Sequence, residues 1–300
     1  MNDTLTAIAG FEVGHWTDRE AATGCTVVVL PEPNCITAEF RGAAPGSRES
    51  ALLYPGMAVE QAQAVVLTGG SAFGLAAADG VARELEKDGR GHPTLMGPVP
   101  IVPAAVVYDL HTGDATIRPG SEEGASAYRA ARSAPVEMGR VGAGTGTRVA
   151  GWRGLENSRP GGLGSALVRR DGFSVGALAV VNSVGDVFTL EGTPLTGGSP
   201  VPGPPVPVTS PLEQTTLVVV ATDARLPRSL LLRLAVRSHD ALAVCVRPTH
   251  TSHDGDAVFA VSSGTTDVAA DAVAEAAWEA TGRAVEAAVT TAVTADAPER

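Results

Sequence analysis

Thr215 and Thr216 open the apolar, β-branched segment "TTLVVVATDARL" directly after a proline-rich run that ends in Leu212-Glu213-Gln214. Threonine suits strands, and a strand start is the simpler reading of the pair. A second reading is chemical. If the chain is cut before Thr215, the new terminus carries a hydroxyl nucleophile and an α-amino group with a reference pKa of about 7.7–8.0, which can serve as its base. Acyl chemistry could then run without a Ser-His-Asp set.

Other stretches carry candidate groups. "HTSHDGD" places His250, His253, Asp254 and Asp256 within one short segment. Imidazole and carboxylate together suit zinc or manganese, but the spacing matches no standard zinc pattern. The alternatives are a polar turn bent at Asp254-Gly255, or two aspartates that orient a nearby nucleophile. "LTGGSAFG" resembles a nucleophile elbow, but Phe73 stands where GxSxG needs glycine. Its backbone N–H groups at a helix start could still serve an anion or oxyanion. "GAGTG" after Val141 fails the GxGxxG spacing because Thr147 replaces the last glycine, and no GK[ST] follows.

These residues need elements to position them. Periodicity predicts strands at 24–32 and 34–42, paired across Pro31-Glu32-Pro33, and a short helix after Pro55. A strand at 64–68 runs into a helix over about 72–88, and "AAVVYDL" carries a further strand. A helix near 121–133 comes before "VGAGTGT". "SALVRR" and "FSVGALAVVNSVGDVFT" read as a pair turning at Arg170-Asp171-Gly172. Residues 192–211 hold seven prolines and four glycines and read as a flexible linker. Beyond it come strands at 215–222, 244–248 and 257–262 and helices at about 226–243 and 267–291, with the last nine residues fraying. Strands at both ends with helices between them suggest an α+β protein of helix packed on sheet. The 86 residues after the linker are too few for an independent core, so one domain is expected over 1–300.

The composition excludes several classes. The 300 residues are 44% hydrophobic and carry a net charge of -11, which argues against nucleic acid, whose phosphates need clustered Lys and Arg. The N-terminus lacks a basic segment followed by an apolar core, and no segment holds eighteen uninterrupted apolar residues. Cys25, Cys35 and Cys245 are odd in number and outside any CxxC spacing, as expected of reduced thiols in a cytoplasmic protein.

"GHWTD", "RGAAPGSRES", "VVLTGGSAFGLAAADGVARELE", "VPIVPAAVVYDL", "VGAGTG", "GGLGSA", "VVNSVGD", "TTLVVVATDARL" and "RPTHTSHDGDAVFAVSSG" occur in order over nearly the whole chain. Together they resemble the L-aminopeptidase/D-esterase family, which includes β-peptidyl aminopeptidases and endo-type nylon-oligomer hydrolases. The resemblance implies a four-layer αββα sandwich like that of N-terminal nucleophile hydrolases. It implies a precursor that cleaves itself between Gln214 and Thr215 into pieces 1–214 and 215–300, with Thr215 as nucleophile. Asn182 matches an asparagine near the nucleophile or oxyanion, and Asp254 and Asp256 match acidic residues that position the threonine and its amine. Tyr108 matches a tyrosine near the substrate carbonyl. A small peptide or amide substrate is implied, with no metal or cofactor, in a homo-oligomer, often a tetramer of processed units. Two departures stand out. Gln214 replaces the Asn or Gly common before the cut, and Gly151 and Pro160 stand where relatives carry lysine, with no lysine in 141–170. Two alternatives fit the same residues: acyl transfer of the ornithine acetyltransferase type, and a non-cleaving binding protein.

Overall fold

The structure, a computed structural model, describes residues 2–198 and 214–295. It holds two five-stranded mixed sheets. The first runs in the order Glu12–Asp18, Thr23–Val29, Ala64–Thr68, Ala104–Val106, Ser47–Arg48. The second runs Gly162–Arg170, Phe173–Asn182, Thr215–Arg225, Ala257–Asp267, Cys35–Phe40. Each sheet has one parallel pair, Ala64–Thr68 with Ala104–Val106 and Thr215–Arg225 with Ala257–Asp267.

Side chains alternate across these strands with period two, and both faces are apolar. On the central strand of the second sheet, Leu217 and Val219 join a cluster with Leu178, Phe259, Val65 and Leu67, which draws on both sheets. Val218 and Val220 point the other way, against Leu231, Leu234, Ala277 and Ala284 of the helices Arg228–Cys245 and Ala270–Ala295. A third cluster joins Val27 and Val66 of the first sheet to Val81 and Leu85 of the helix Ala77–Lys87 and Ala127 of the helix Ser121–Arg129. The many alanines of the last helix let it lie close to the sheet. At Gly164 a Cβ would come within 2.2 Å of Ala284 O, so "GGLGSA" is a packing motif there.

Several sequence expectations hold. The pair turning at Arg170-Asp171-Gly172 is antiparallel, with Arg170 opposite Phe173. Thr215 is the first residue of its strand, which runs to Arg225. Others need correction. Thr23–Val29 and Cys35–Phe40 are not partners. The first pairs with Glu12–Asp18 and Ala64–Thr68, and the second pairs with Ala257–Asp267 in the other sheet. Pro31-Glu32-Pro33 lacks the glycine or asparagine of a two-residue hairpin turn, and its cis Glu32–Pro33 bond lies in a crossover between sheets. The short helix falls before Pro55, as a 3-10 turn at Ser50–Leu53. The C-terminal helix continues to Ala295, past the expected fraying point. Of the expected linker, 199–211 lies outside the described residues, whereas Pro194 forms a bridge with Phe188. Among the described residues no helix is long and apolar enough to cross a membrane.

Candidate functional site

Three strand ends meet at Thr215. Its antiparallel neighbour finishes at Asn182, directly opposite Thr215. Its parallel neighbour begins at Ala257, level with Leu217, so the turn 254–256 lies alongside 214–216. Gln214 and Asp254 form a parallel bridge there. The structure thus brings Thr215, Asn182, Asp254 and Asp256 together. Tyr108 joins them through its backbone, because Asn182 Nδ2 donates to Tyr108 O at 3.0 Å. Tyr108, Gln214, Thr215, His253, Ser71 and Ala72 help to line one cleft of about 340 Å³.

The Gln214–Thr215 bond is held closely. Thr215 Oγ1 donates to Gln214 O at 2.6 Å, and the Gly255 N–H donates to the same oxygen at 3.1 Å. The hydroxyl therefore lies beside the carbonyl that it would attack, and an N–H already polarises that carbonyl. Gln214 N donates to His253 O at 3.2 Å. Gly255 has no room for a side chain, since a Cβ would meet Ala44 O at 2.5 Å and Thr215 Oγ1 at 3.0 Å. Asn182 is fully buried, and its Oδ1 accepts the Arg148 N–H at 2.9 Å. Both ends of the carboxamide are thus engaged, and the side chain is fixed at the end of its strand.

Asp256 acts on the strand, and Asp254 on its own turn. Asp256 Oδ1 accepts the Thr216 N–H at 2.6 Å. Its Oδ2 faces Thr249 Oγ1 at 3.1 Å and His250 Nδ1 at 2.7 Å. Asp254 Oδ2 accepts the Thr251 N–H at 2.6 Å. Among the described residues neither carboxylate bonds the Thr215 hydroxyl. Burial, reinforced by the nearby Asp256 carboxylate, pushes the Asp254 pKa up to about 6. His239, packed edge-on against His250 at 4.8 Å, is pushed down to about 4 by burial.

The other sequence candidates take different roles. Among the described residues no group of three or more His, Cys, Asp or Glu side chains is arranged to hold a metal ion; in "HTSHDGD", His250 pairs with Asp256. In the glycine turn of "LTGGSAFG", Gly70 N donates to Asp109 Oδ1 at 2.7 Å and Ser71 N to Val107 O at 3.0 Å, while Ala72 lines the cleft. "GAGTG" is a 3-10 turn tied to Thr17 and Thr26. Gly151 opens a 3-10 turn, and Pro160 pairs with Arg148. Arg148 is a cation of this region; its guanidinium bonds Ser158 Oγ and O, and its charge adds to burial in lowering the His111 pKa.

Sequence reasoning missed two contributors. Gly255 supplies the N–H on the Gln214 carbonyl; its sign was a glycine between two aspartates, which marks close backbone approach. His250 partners Asp256 from a backbone with φ of 54°, in the left-handed region, and nothing in its spacing announces that contact.

Comparison with known proteins places the chain in a family. The family model described as Peptidase family S58 matches residues 3–300. A Mycobacterium leprae protein named as an uncharacterized aminopeptidase is 41% identical over 299 residues, covering 89% of this chain and 80% of its own. A 6-aminohexanoate-oligomer endohydrolase from Paenarthrobacter ureafaciens is 27% identical over 274 residues, 86% of this chain and 74% of its own. The solved L-aminopeptidase D-Ala-esterase/amidase from Ochrobactrum anthropi, reported as a new variant of the Ntn hydrolase fold, superposes with a TM-score of 0.74. That match spans 99% of this chain and 88% of its own at 23% identity, and it shows a shared fold.

Proposed function

The chain belongs to peptidase family S58, and on that premise we propose that it is a self-processing amidohydrolase whose nucleophile is an N-terminal Thr215. The observation that carries this is the pair of hydrogen bonds onto the Gln214 carbonyl, one from the Thr215 hydroxyl and one from the Gly255 N–H. In maturation, Thr215 Oγ adds to the Gln214 carbonyl carbon while Gly255 N–H stabilises the oxyanion. The C–N bond breaks, the Thr215 amine takes the proton, and an ester remains between Gln214 and Oγ. Water then hydrolyses it, leaving a Gln214 carboxylate and a free hydroxyl.

In turnover the released amine accepts the hydroxyl proton as Oγ attacks a substrate amide or ester, and returns it to the leaving group. Water frees the acyl product. Asn182, with Tyr108 beside the cleft, serves the oxyanion region, while Asp254 and Asp256 hold the strand start in place. Pieces 1–214 and 215–300 would remain one αββα unit, a layering supported by the three apolar clusters. The relatives' names support small peptides or amino-acid oligomers as substrates. The three free cysteines fit a reducing cytoplasm, and a homo-oligomer of processed units is the expected assembly.

The test is an intact-mass spectrum under denaturing conditions. Wild type should give two species with Thr215 as a new N-terminus, and Thr215→Ala should stay whole and inactive. A Thr215→Ala protein that hydrolyses amides like wild type would overturn the proposal.

A further inference from the structure

If Thr215 serves both reactions, as proposed above, the residue before it is a template for the substrate. In maturation and in turnover alike, the same Oγ carries an acyl group as an ester. The acyl part of a substrate must therefore take the place that Gln214 fills before the cut.

Gln214 is 2% exposed. One terminal atom of its carboxamide faces three backbone carbonyl oxygens: Asn182 O at 3.0 Å, Ser183 O at 2.9 Å and Arg148 O at 3.2 Å. Three acceptors can be met only by a donor, so that atom is the amide nitrogen. A carboxamide nitrogen offers two hydrogens to these three oxygens, whereas a protonated primary amine offers three. Counting from the carbonyl carbon under attack, the nitrogen lies five bonds away. An α-ammonium would instead fall at the Gln214 backbone nitrogen, whose bond goes to His253 O alone.

We propose that this cage of carbonyls, once Gln214 has left it, recognises a protonated amine five bonds from the scissile carbonyl. The substrate class is a 5-aminopentanoyl or N-terminal ornithyl amide. Arg148 lends its carbonyl to the cage, and its guanidinium is directed to Ser158. The carboxylates of Asp254 and Asp256, in the turn beside Gln214, favour a cation. A 6-aminohexanoyl chain is one bond too long to reach the same point without buckling. A hexanoyl chain has the right length but presents a methyl group to three buried acceptors.

The experiment uses the processed protein and four anilides: 5-aminopentanoyl, 6-aminohexanoyl, hexanoyl and alanyl p-nitroanilide. Expected is a kcat/KM for the 5-aminopentanoyl compound at least about tenfold above the 6-aminohexanoyl and hexanoyl compounds, because one extra methylene in a fitted pocket costs about tenfold or more and a site built to bond an N–H rejects an analogue that lacks it. Hexanoyl turnover equal to or above it, abolished by Thr215→Ala, would overturn the cage and leave the nucleophile standing. So would alanyl turnover with none of the 5-aminopentanoyl compound. An uncut chain that turns over no anilide would overturn the nucleophile, and this inference with it.

Discussion

Asp254 gives the site a measurable electrostatic signature. Its carboxyl is held near pKa 6 by burial and then by the Asp256 charge, against about 3.9 in an unfolded chain. Between those values the native state binds more protons than the unfolded state, so this group's contribution to stability falls as pH rises through the window. Integrating the linkage, the raised pKa costs the fold about 1 kcal/mol by pH 4.5 and about 3 kcal/mol by pH 7. Asp254→Asn removes that cost and can keep the Thr251 N–H bond through its amide oxygen. The variant should therefore gain about 2 kcal/mol relative to the parent between pH 4.5 and pH 7. Urea unfolding at the two pH values reads this directly, with both proteins in a Thr215→Ala background so that each is one chain. Titrating groups remote from Asp254 and common to both proteins cancel in the difference, so the change reports on Asp254 together with its coupling to Asp256. A stability difference that does not change with pH would refute the buried, charge-coupled placement of Asp254.

Gly255→Ala puts a Cβ 2.5 Å from Ala44 O and 3.0 Å from Thr215 Oγ1. It should cost about 1–3 kcal/mol of stability and slow chain cleavage by at least about tenfold if the oxyanion donor shifts; a gel time course of fresh protein follows it. Asn182→Ala strips the Arg148 N–H and the Tyr108 carbonyl of their partners in a fully buried place. At about 1–3 kcal/mol for each orphaned group, denaturant unfolding should show a loss of about 2–6 kcal/mol. Cys25 and Cys245 are buried, with their thiols pushed up to about 12. A thiol reagent at pH 8 should quickly label at most Cys35 in the native protein and all three cysteines in denaturant.

The central elements of the site were legible because their signals were local. A proline-rich run giving way to β-branched residues marks a strand start, and the structure begins a strand at Thr215. The turn at Arg170-Asp171-Gly172 has hairpin chemistry, and it joins neighbouring strands. Pairing between distant segments was not legible. Thr23–Val29 is buried along its whole length and Cys35–Phe40 over its middle, so neither alternates in a way that names a partner. Their neighbours in sequence are not their neighbours in space. The Asp256–His250 contact escaped for a related reason. It depends on a loop that folds back through a left-handed residue, and residue spacing does not encode that. The cage around the Gln214 carboxamide is built from backbone oxygens, which every sequence possesses.

The topology supports the position of the proposed cut. Thr215 is the first residue of the central strand, so a break before it spares the strand's own pairings and gives up the isolated bridge from Gln214 to Asp254. Thr215 stays opposite Asn182, and Leu217 stays level with Ala257. Leu217, Val218, Val219 and Val220 are fully buried, and at about 1.5–3 kcal/mol each they hold the strand with on the order of 6–12 kcal/mol, an upper figure. What a break does change is local: the Gly255 N–H loses the amide oxygen that it now holds, and the Gln214 carboxamide is free to leave its three carbonyls. Gln214 and Thr215 line the same cleft. A cut two residues later would leave Thr215 and Thr216, with their places opposite Asn182 and Val181, on the other piece, and a cut several residues earlier would leave the cage filled. The bond between Gln214 and Thr215 is the place where cleavage opens the site and leaves the sheet intact.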